Sequence, residues 1–216
     1  MSTSDIAIDQ LHAFVRRPLA FRCKPAIRRG ASERFVAHVG HSLNSPPTPD
    51  EKGQLKRHLG IQAEALQAFY QKHNGFLLYR DTLSDTAGIH AFSIKAWANA
   101  TERLHANIRE SLDDEEDDPK GLLSTVVFGT APRSGNYFVV QTAGPSIGGI
   151  FYTGHETLSM TLFASDFDEF LRRIITDPVT LIARDLGCFA RYSDGSSSTQ
   201  WIPEEAIAVE SRIGEL

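Results

Sequence analysis

With 216 residues, 41% hydrophobic and 23% charged, the chain has the make-up of a packed globular protein, and it should bury roughly 70% of its unfolded surface without a staple. Its net charge of −5 hides an asymmetry: residues 1–60 carry 10 Lys and Arg against 5 Asp and Glu, which leaves 12 against 22, a net of −10, for residues 61–216. An acidic body excludes nucleic acid as the main ligand, because phosphate neutralisation needs a positive surface, and it suits a basic protein partner.

Residues 5–17 are expected as a short amphipathic helix, with Ile8, Leu11, Phe14 and Val15 on one stripe. From Arg16 to Arg34 the chain is basic (Arg16, Arg17, Arg22, Lys24, Arg28, Arg29, Arg34), and a solvated, loosely docked arm is preferred to an anion site. Ser45-Pro46-Pro47-Thr48-Pro49 is a break. The expected organisation is a basic N-terminal extension over residues 1–47 and an α+β domain over residues 48–216.

Thr48 can cap the next helix, Pro49 suits its first position and Glu51 closes a capping box. Leu55 and Leu59 share a face, and Gly60 stops the helix. A second helix is expected from Ala63 to His73, with Leu66, Phe69 and Tyr70 on one face and Asn74-Gly75 as a left-handed cap. Phe76-Leu77-Leu78-Tyr79 follows as a strand. Residues 88–92 predict another strand, leading into a helix near 94–110. The acidic run Asp113-Asp114-Glu115-Glu116-Asp117-Asp118 and Pro119 form a solvated loop.

Ser124 to Phe128, Asn136 to Thr142 and Gly149 to Thr153 read as three strands, and the short breaks Pro132-Arg133-Ser134-Gly135 and Gly144-Pro145-Ser146 favour antiparallel neighbours. Ser165 is the expected N-cap of a last helix, with Phe167, Phe170, Leu171, Ile174 and Ile175 striping one side and Asp177-Pro178 ending it. The tail from Val179 is expected to add one or two strands and a loop at 195–198.

The order helix–helix–Asn-Gly–strand, a meander, then a Phe-rich acidic-capped helix resembles the SUKH superfamily of Smi/Knr-type proteins. Three stretches carry the likeness: Leu59-Gly60 through Phe69-Tyr70 to Asn74-Gly75; Val127-Phe128-Gly129 with Gly135-Asn136-Tyr137-Phe138-Val139-Val140; and Gly149-Ile150-Phe151-Tyr152 through Gly154-His155-Glu156 to Ala164-Ser165-Asp166-Phe167-Asp168-Glu169-Phe170-Leu171. They frame residues 50–177. Gln62 stands where the family often has proline, and Phe76 where it often has a second glycine. The resemblance implies a central, mostly antiparallel sheet with helices beside it, and a binding protein that is not an enzyme. Many bacterial members look like immunity proteins that neutralise a toxin, and fungal relatives regulate cell-wall synthesis and signalling. It offers no catalytic residue to carry over.

Motifs for chemistry are sparse. Gly144-Pro145-Ser146-Ile147-Gly148 matches a hydrolase nucleophile elbow, which needs a helix after the serine; a strand is expected there, so a hairpin turn is preferred. His38 with His41, and His155 with Glu156, are the histidine pairings that suggest a metal, but neither supplies a full ligand set, and no metal or cofactor is expected. Aspartates packed as tightly as 113–118 could attract calcium, but the glycine turn of a calcium loop is missing. Cys23 and Cys188 lie far apart and are expected as free thiols of a reducing compartment. Met1 to Asp9 lacks a basic, apolar signal segment, and no apolar run approaches the roughly 20 residues of a membrane span, so the expected location is the cytoplasm. The candidate partner-binding residues are Asp113, Asp114, Glu115, Glu116, Asp117 and Asp118, facing a basic toxin domain. The alternative partner is an endogenous enzyme, with the chain as regulatory scaffold.

Overall fold

A computed structural model describes residues 3–26, 33–59, 63–84, 88–111, 118, 121–131, 134–154, 159–186, 192–196 and 199–209. Its helices are α1 (Thr3–Val15), α2 (Pro49–Leu59), α3 (Glu64–Lys72), α4 (Ile94–Ser111) and α5 (Phe167–Thr176), followed by short turns at Pro178–Thr180 and Leu181–Asp185. The box at the start of α2 forms as expected: Thr48 N and Oγ1 both donate to Glu51 Oε2 at 2.9 Å, and Glu51 N donates back to Thr48 Oγ1 at 3.3 Å. Helix α5 starts one residue later than expected. Its N-cap is Asp166, whose carboxylate accepts from Glu169 N at 2.7 Å, while Glu169 Oε2 holds Ser165 N at 2.7 Å. Gly60 lies outside the described residues.

Ten strands form one antiparallel sheet among the described residues: β1 (Leu19–Pro25), β2 (Phe35–Leu43), β3 (Phe76–Asp81), β4 (Ile89–Ala91), β5 (Thr125–Thr130), β6 (Tyr137–Gln141), β7 (Ile150–Gly154), β8 (Ser159–Ala164), β9 (Tyr192–Ser193) and β10 (Gln200–Ala208). Their order is β8-β7-β6-β5-β4-β3-β2-β1-β10-β9, a continuous meander closed by the two C-terminal strands. The fold is α+β.

The basic stretch after α1 is not a loosely docked arm. Its first part is β1, paired on both sides, with Phe21 and Cys23 buried and Arg22 and Lys24 exposed. A period of two with the cations on the wet side is what a half-buried strand requires. The tail holds two helical turns before its two strands, an addition to the expected pattern.

The sheet has two unequal faces. On one, α1, α3 and α5 cover a core that includes Phe69, Phe128, Phe138, Phe167 and Phe170. On the other, Leu104 and Ile108 of α4 cover Val127, Val139 and Phe151. Strand β5 lies between both layers, and five of its six residues are buried. Helix α4 serves both faces, because Ile94 and Trp97 in its first turns belong to the larger core.

Between α3 and β3 the chain ties a knot. Asn74 Nδ2 donates to Glu51 Oε1 at 2.8 Å, and its Oδ1 accepts from Ile94 N, the first residue of α4, at 2.9 Å. Its main chain donates to Ser45 O at 3.1 Å and accepts from Asn44 Nδ2 at 2.7 Å. Gly75 follows with φ +97°, and a Cβ there would sit 2.3 Å from Ala91 O. The left-handed residue is therefore Gly75, while the α3 cap His73 is extended.

A second constraint sits where β3 bulges against β2, with Leu78 and Tyr79 opposite His41. Tyr79, fully buried, holds φ 59°, an outlier for an aromatic residue. Its N–H donates to His41 Nδ1 at 3.1 Å, its hydroxyl donates to Ile174 O at 2.6 Å, and its carbonyl accepts from Tyr192 Oη at 2.9 Å. Accepting that bond requires a neutral imidazole, and burial lowers the His41 pKa from 6.5 to about 4. The unfolded chain therefore binds the proton more tightly, so this stabilisation is complete above pH 6.5 and is lost as pH falls towards 4. His58, His73, His90 and His105 shift in the same direction, each mainly through burial. Urea unfolding between pH 7 and about pH 4 should show stability falling with acid. His41→Gln should flatten that fall by on the order of 3 kcal/mol, and an unchanged slope would remove His41 from this role.

Candidate functional site

The acidic run re-enters the described structure at Asp118, where it closes a turn. Asp118 Oδ1 accepts from Leu122 N at 2.9 Å, Oδ2 accepts from Leu123 N at 2.8 Å, and the carbonyl accepts from Gly121 N at 3.2 Å. These bonds fix a 3-10 turn, Leu122–Ser124, which runs straight into β5. Asp113, Asp114, Glu115, Glu116 and Asp117 lie outside the described residues. The last acid of the run is thus a capping group, with both oxygens engaged.

This turn forms one wall of a cleft of about 460 Å³ at the end of the second face. The opposite wall is the hairpin between β6 and β7, and Phe151 of β7 and Met160 of β8 contribute apolar surface. Gln141, the last residue of β6, joins the two walls by donating from Nε2 to Gly121 O at 3.2 Å. Thr142 repeats the tie, donating from N and Oγ1 to Ser124 O at 2.9 and 2.8 Å. Gln141 is 6% exposed, and its Oε1 is buried without a hydrogen-bond partner.

Ser146 lies in that hairpin. Gln141 O accepts from Gly148 N at 2.9 Å, Ser146 O accepts from Gly149 N at 2.9 Å, and both Gly144 and Gly148 hold φ +83°. A strand follows, so Ser146 sits in a hairpin turn and not at a helix N-terminus.

The remaining candidates are dispersed. His38 is exposed, while His41 packs with Phe14 and Tyr79 in the larger core, so the two sit on opposite faces of β2. His155 and Glu156 lie outside the described residues, as do Arg28, Arg29 and Cys188. Cys23 is a free, buried thiol pushed up to about 12, chiefly by burial, which makes it unreactive. Among the described residues no group of three or more His, Cys, Asp or Glu could hold a metal ion. The cations of β1 face β10, Arg22 pairing with Glu205 and Lys24 with Glu204 at 3.3 Å, and Arg34, just before β2, pairs with Glu204 at 3.0 Å. An anion there would have to displace both glutamates.

Sequence reasoning missed Gln141, Phe151 and Met160 as neighbours of the turn that Asp118 closes. One signal was available, a lone Gln at the end of the apolar run Tyr137-Phe138-Val139-Val140.

The described strands thus form a meander with α3 and α5 on one face and the later turns of α4 on the other. The model of the SMI1 / KNR4 family (SUKH-1) matches residues 55–173, more than half of the chain, and the chain belongs to this family. No curated protein compared with the chain matches it. The matched part runs from the middle of α2 into α5 and holds β3 to β8 and the whole cleft. Helix α1 and strands β1, β2, β9 and β10 lie outside it, in the same sheet or packed on it.

Because Asp118 acts as a cap, its loss should be felt in stability. Asp118→Ala should lower it by about 1–2 kcal/mol in chemical denaturation, with Asp118→Asn retaining part of the loss. Equal stability of both variants and the parent would show that the turn does not depend on this carboxylate.

Proposed function

We propose that this chain is a non-catalytic protein-binding module that neutralises a basic toxin domain by stoichiometric binding. Family membership supports an immunity or regulatory protein of the Smi1/Knr4 type, and such proteins generally bind protein partners. The observation that carries the finer reading is the acidic run 113–118, covalently continuous with a fixed turn that walls the cleft. The run supplies charge for steering, and Phe151 and Met160 supply apolar surface for affinity. A nuclease-like partner, whose own site is built for phosphate, would meet in Asp113 to Asp117 a strip of the same charge.

A non-catalytic role is supported by where the perturbed groups lie. Cys23, Tyr70, Tyr79, Tyr192 and His41 owe their shifts chiefly to burial in the larger core. None of them lines the cleft. The reading places the chain in the cytoplasm, and no helix among the described residues is long and apolar enough to cross a membrane.

The test begins with a tagged pull-down from native cells. A single stoichiometric basic partner, toxic alone and harmless when co-expressed with this chain, supports the reading. Recovery of a housekeeping enzyme instead would favour a regulatory scaffold. With that partner in hand, replacing Asp113 to Asp117 by Asn and Gln should slow association roughly tenfold at low salt and flatten its salt dependence. Unchanged kinetics would take the run out of the interface.

A further inference from the structure

Helix α1 lies outside the family-matched residues 55–173 and packs on α3, which lies inside them. Two histidines meet at that contact. His12 sits in the last turn of α1, and His73 is the extended C-cap of α3, its N–H donating to Phe69 O at 2.9 Å and its ring lying against Phe69. Their Nε2 atoms stand 2.7 Å apart, on nearly perpendicular rings whose centroids are 4.9 Å apart. The centroid distance exceeds the nitrogen distance by about two ring radii, so the two nitrogens point at each other almost head-on.

The other ring nitrogens have acceptors of their own. His73 Nδ1 lies 3.3 Å from Asn44 O, and a carbonyl only accepts, so this nitrogen carries a proton. Burial, which lowers the His73 pKa, favours the neutral ring and so leaves its Nε2 as a lone pair. His12 Nδ1 faces Asp9 Oδ1 at 3.9 Å, one turn back on the same helix. A carbonyl or a carboxylate behind the ring is what metal-bound histidines use to keep the ligating nitrogen free of its proton. With both Nδ1 atoms protonated, the two Nε2 lone pairs converge, and a cation between them is what makes that arrangement favourable.

We propose that His12 and His73 form a two-histidine site for a divalent transition-metal ion of the zinc, nickel and copper class, with water completing its shell. Imidazole nitrogen suits these ions, whereas Mg²⁺ and Ca²⁺ take oxygen. Ligands about 2.0–2.1 Å from a tetrahedral zinc stand roughly 3.3 Å apart, so the rings part by roughly 0.6 Å to admit it. The His12 side chain is 32% exposed, which leaves one side open to water, and the neighbouring cation Lys72 is paired with Asp5 at 2.9 Å. In the metal-free chain His12 donates from Nε2 to His73. On binding, that proton passes through water to Nδ1, beside Asp9, and the proton count is unchanged. The ion ties α1 to α3 and stabilises the folded chain, because its two ligands meet only there. The site stands apart from the cleft, which neither histidine lines, and needs no partner protein.

The test uses the purified, untagged chain, freed of metal with a chelator. Excess Zn²⁺ should raise its melting temperature, and Mg²⁺ should leave it where it was. His12→Gln and His73→Gln should each weaken Zn²⁺ binding, read with a competing chromophoric chelator, by about tenfold or more, and Asp9→Asn by roughly tenfold with an unchanged circular dichroism spectrum. His38→Gln, at an exposed position on β2, should bind as the parent does. One equivalent of Cu²⁺ on the parent should show two nitrogen ligands by electron paramagnetic resonance, a reading that needs no variant. A parent on which Zn²⁺ acts no differently from Mg²⁺, histidine variants that bind Zn²⁺ as tightly as the parent, or a copper spectrum with fewer than two nitrogens overturns the proposal.

Discussion

Asn74 and Gly75 tie together elements that also pack on one another in the larger core. One side-chain amide ties the capping box of α2 to the first residue of α4, and the next residue passes so close to Ala91 and Phe92 that only glycine fits. These bonds are part-buried, each contributes about 0.5–1.5 kcal/mol net, and because they share Asn74 they form one network. Glu51, held below the usual carboxylate range chiefly by the Thr48 backbone N–H and also by Asn74, serves the helix cap and the knot together.

The candidate site inherits its geometry from that knot. Because α4 starts at a fixed point, its later turns reach the second face at a fixed depth, where Leu104 and Ile108 close over Val127, Val139 and Phe151. Thr101 of α4 also accepts the N–H of Val127 at 3.0 Å, beside the bulge in β5. Strand β5 is thereby set, and with it the Asp118 turn that feeds into it and the Gln141 tie across to the β6–β7 hairpin. Asp118 at the end of the acidic run thus leads into a turn that hydrogen bonds tie to both β5 and the β6–β7 hairpin.

Much of the fold was legible because its signals are local. The box at Thr48, the stripe on α5, the glycine-bounded strands β5 to β7 and the Asn-Gly landmark all lie within a few residues of what they determine. Strand β1 was hidden by its own cations: counting seven basic residues from Arg16 to Arg34 obscured the alternation of Phe21 and Cys23 with Arg22 and Lys24. Strand β8 escaped because an edge strand lacks the continuous apolar character of a central one, and Thr161 and Leu162 are both exposed. The cleft could not be placed from its one local signal. It joins residues 121 and 124 to 141–146, 151 and 160 through tertiary bonds, and an isolated Gln gives no hint of which loop it will hold.

Membership of the SUKH-1 family and an α+β meander set the class of the protein, and the claim that gives it a job is that a partner docks where the acidic run meets the cleft. Hydrogen exchange of the chain, free and saturated with its captured partner, tests this most directly. The account predicts that new protection gathers at residues 121–124 and in the hairpin 143–149. Protection confined to the far end of the second face, around Arg22, Val36 and His38, with the cleft unchanged, would contradict it.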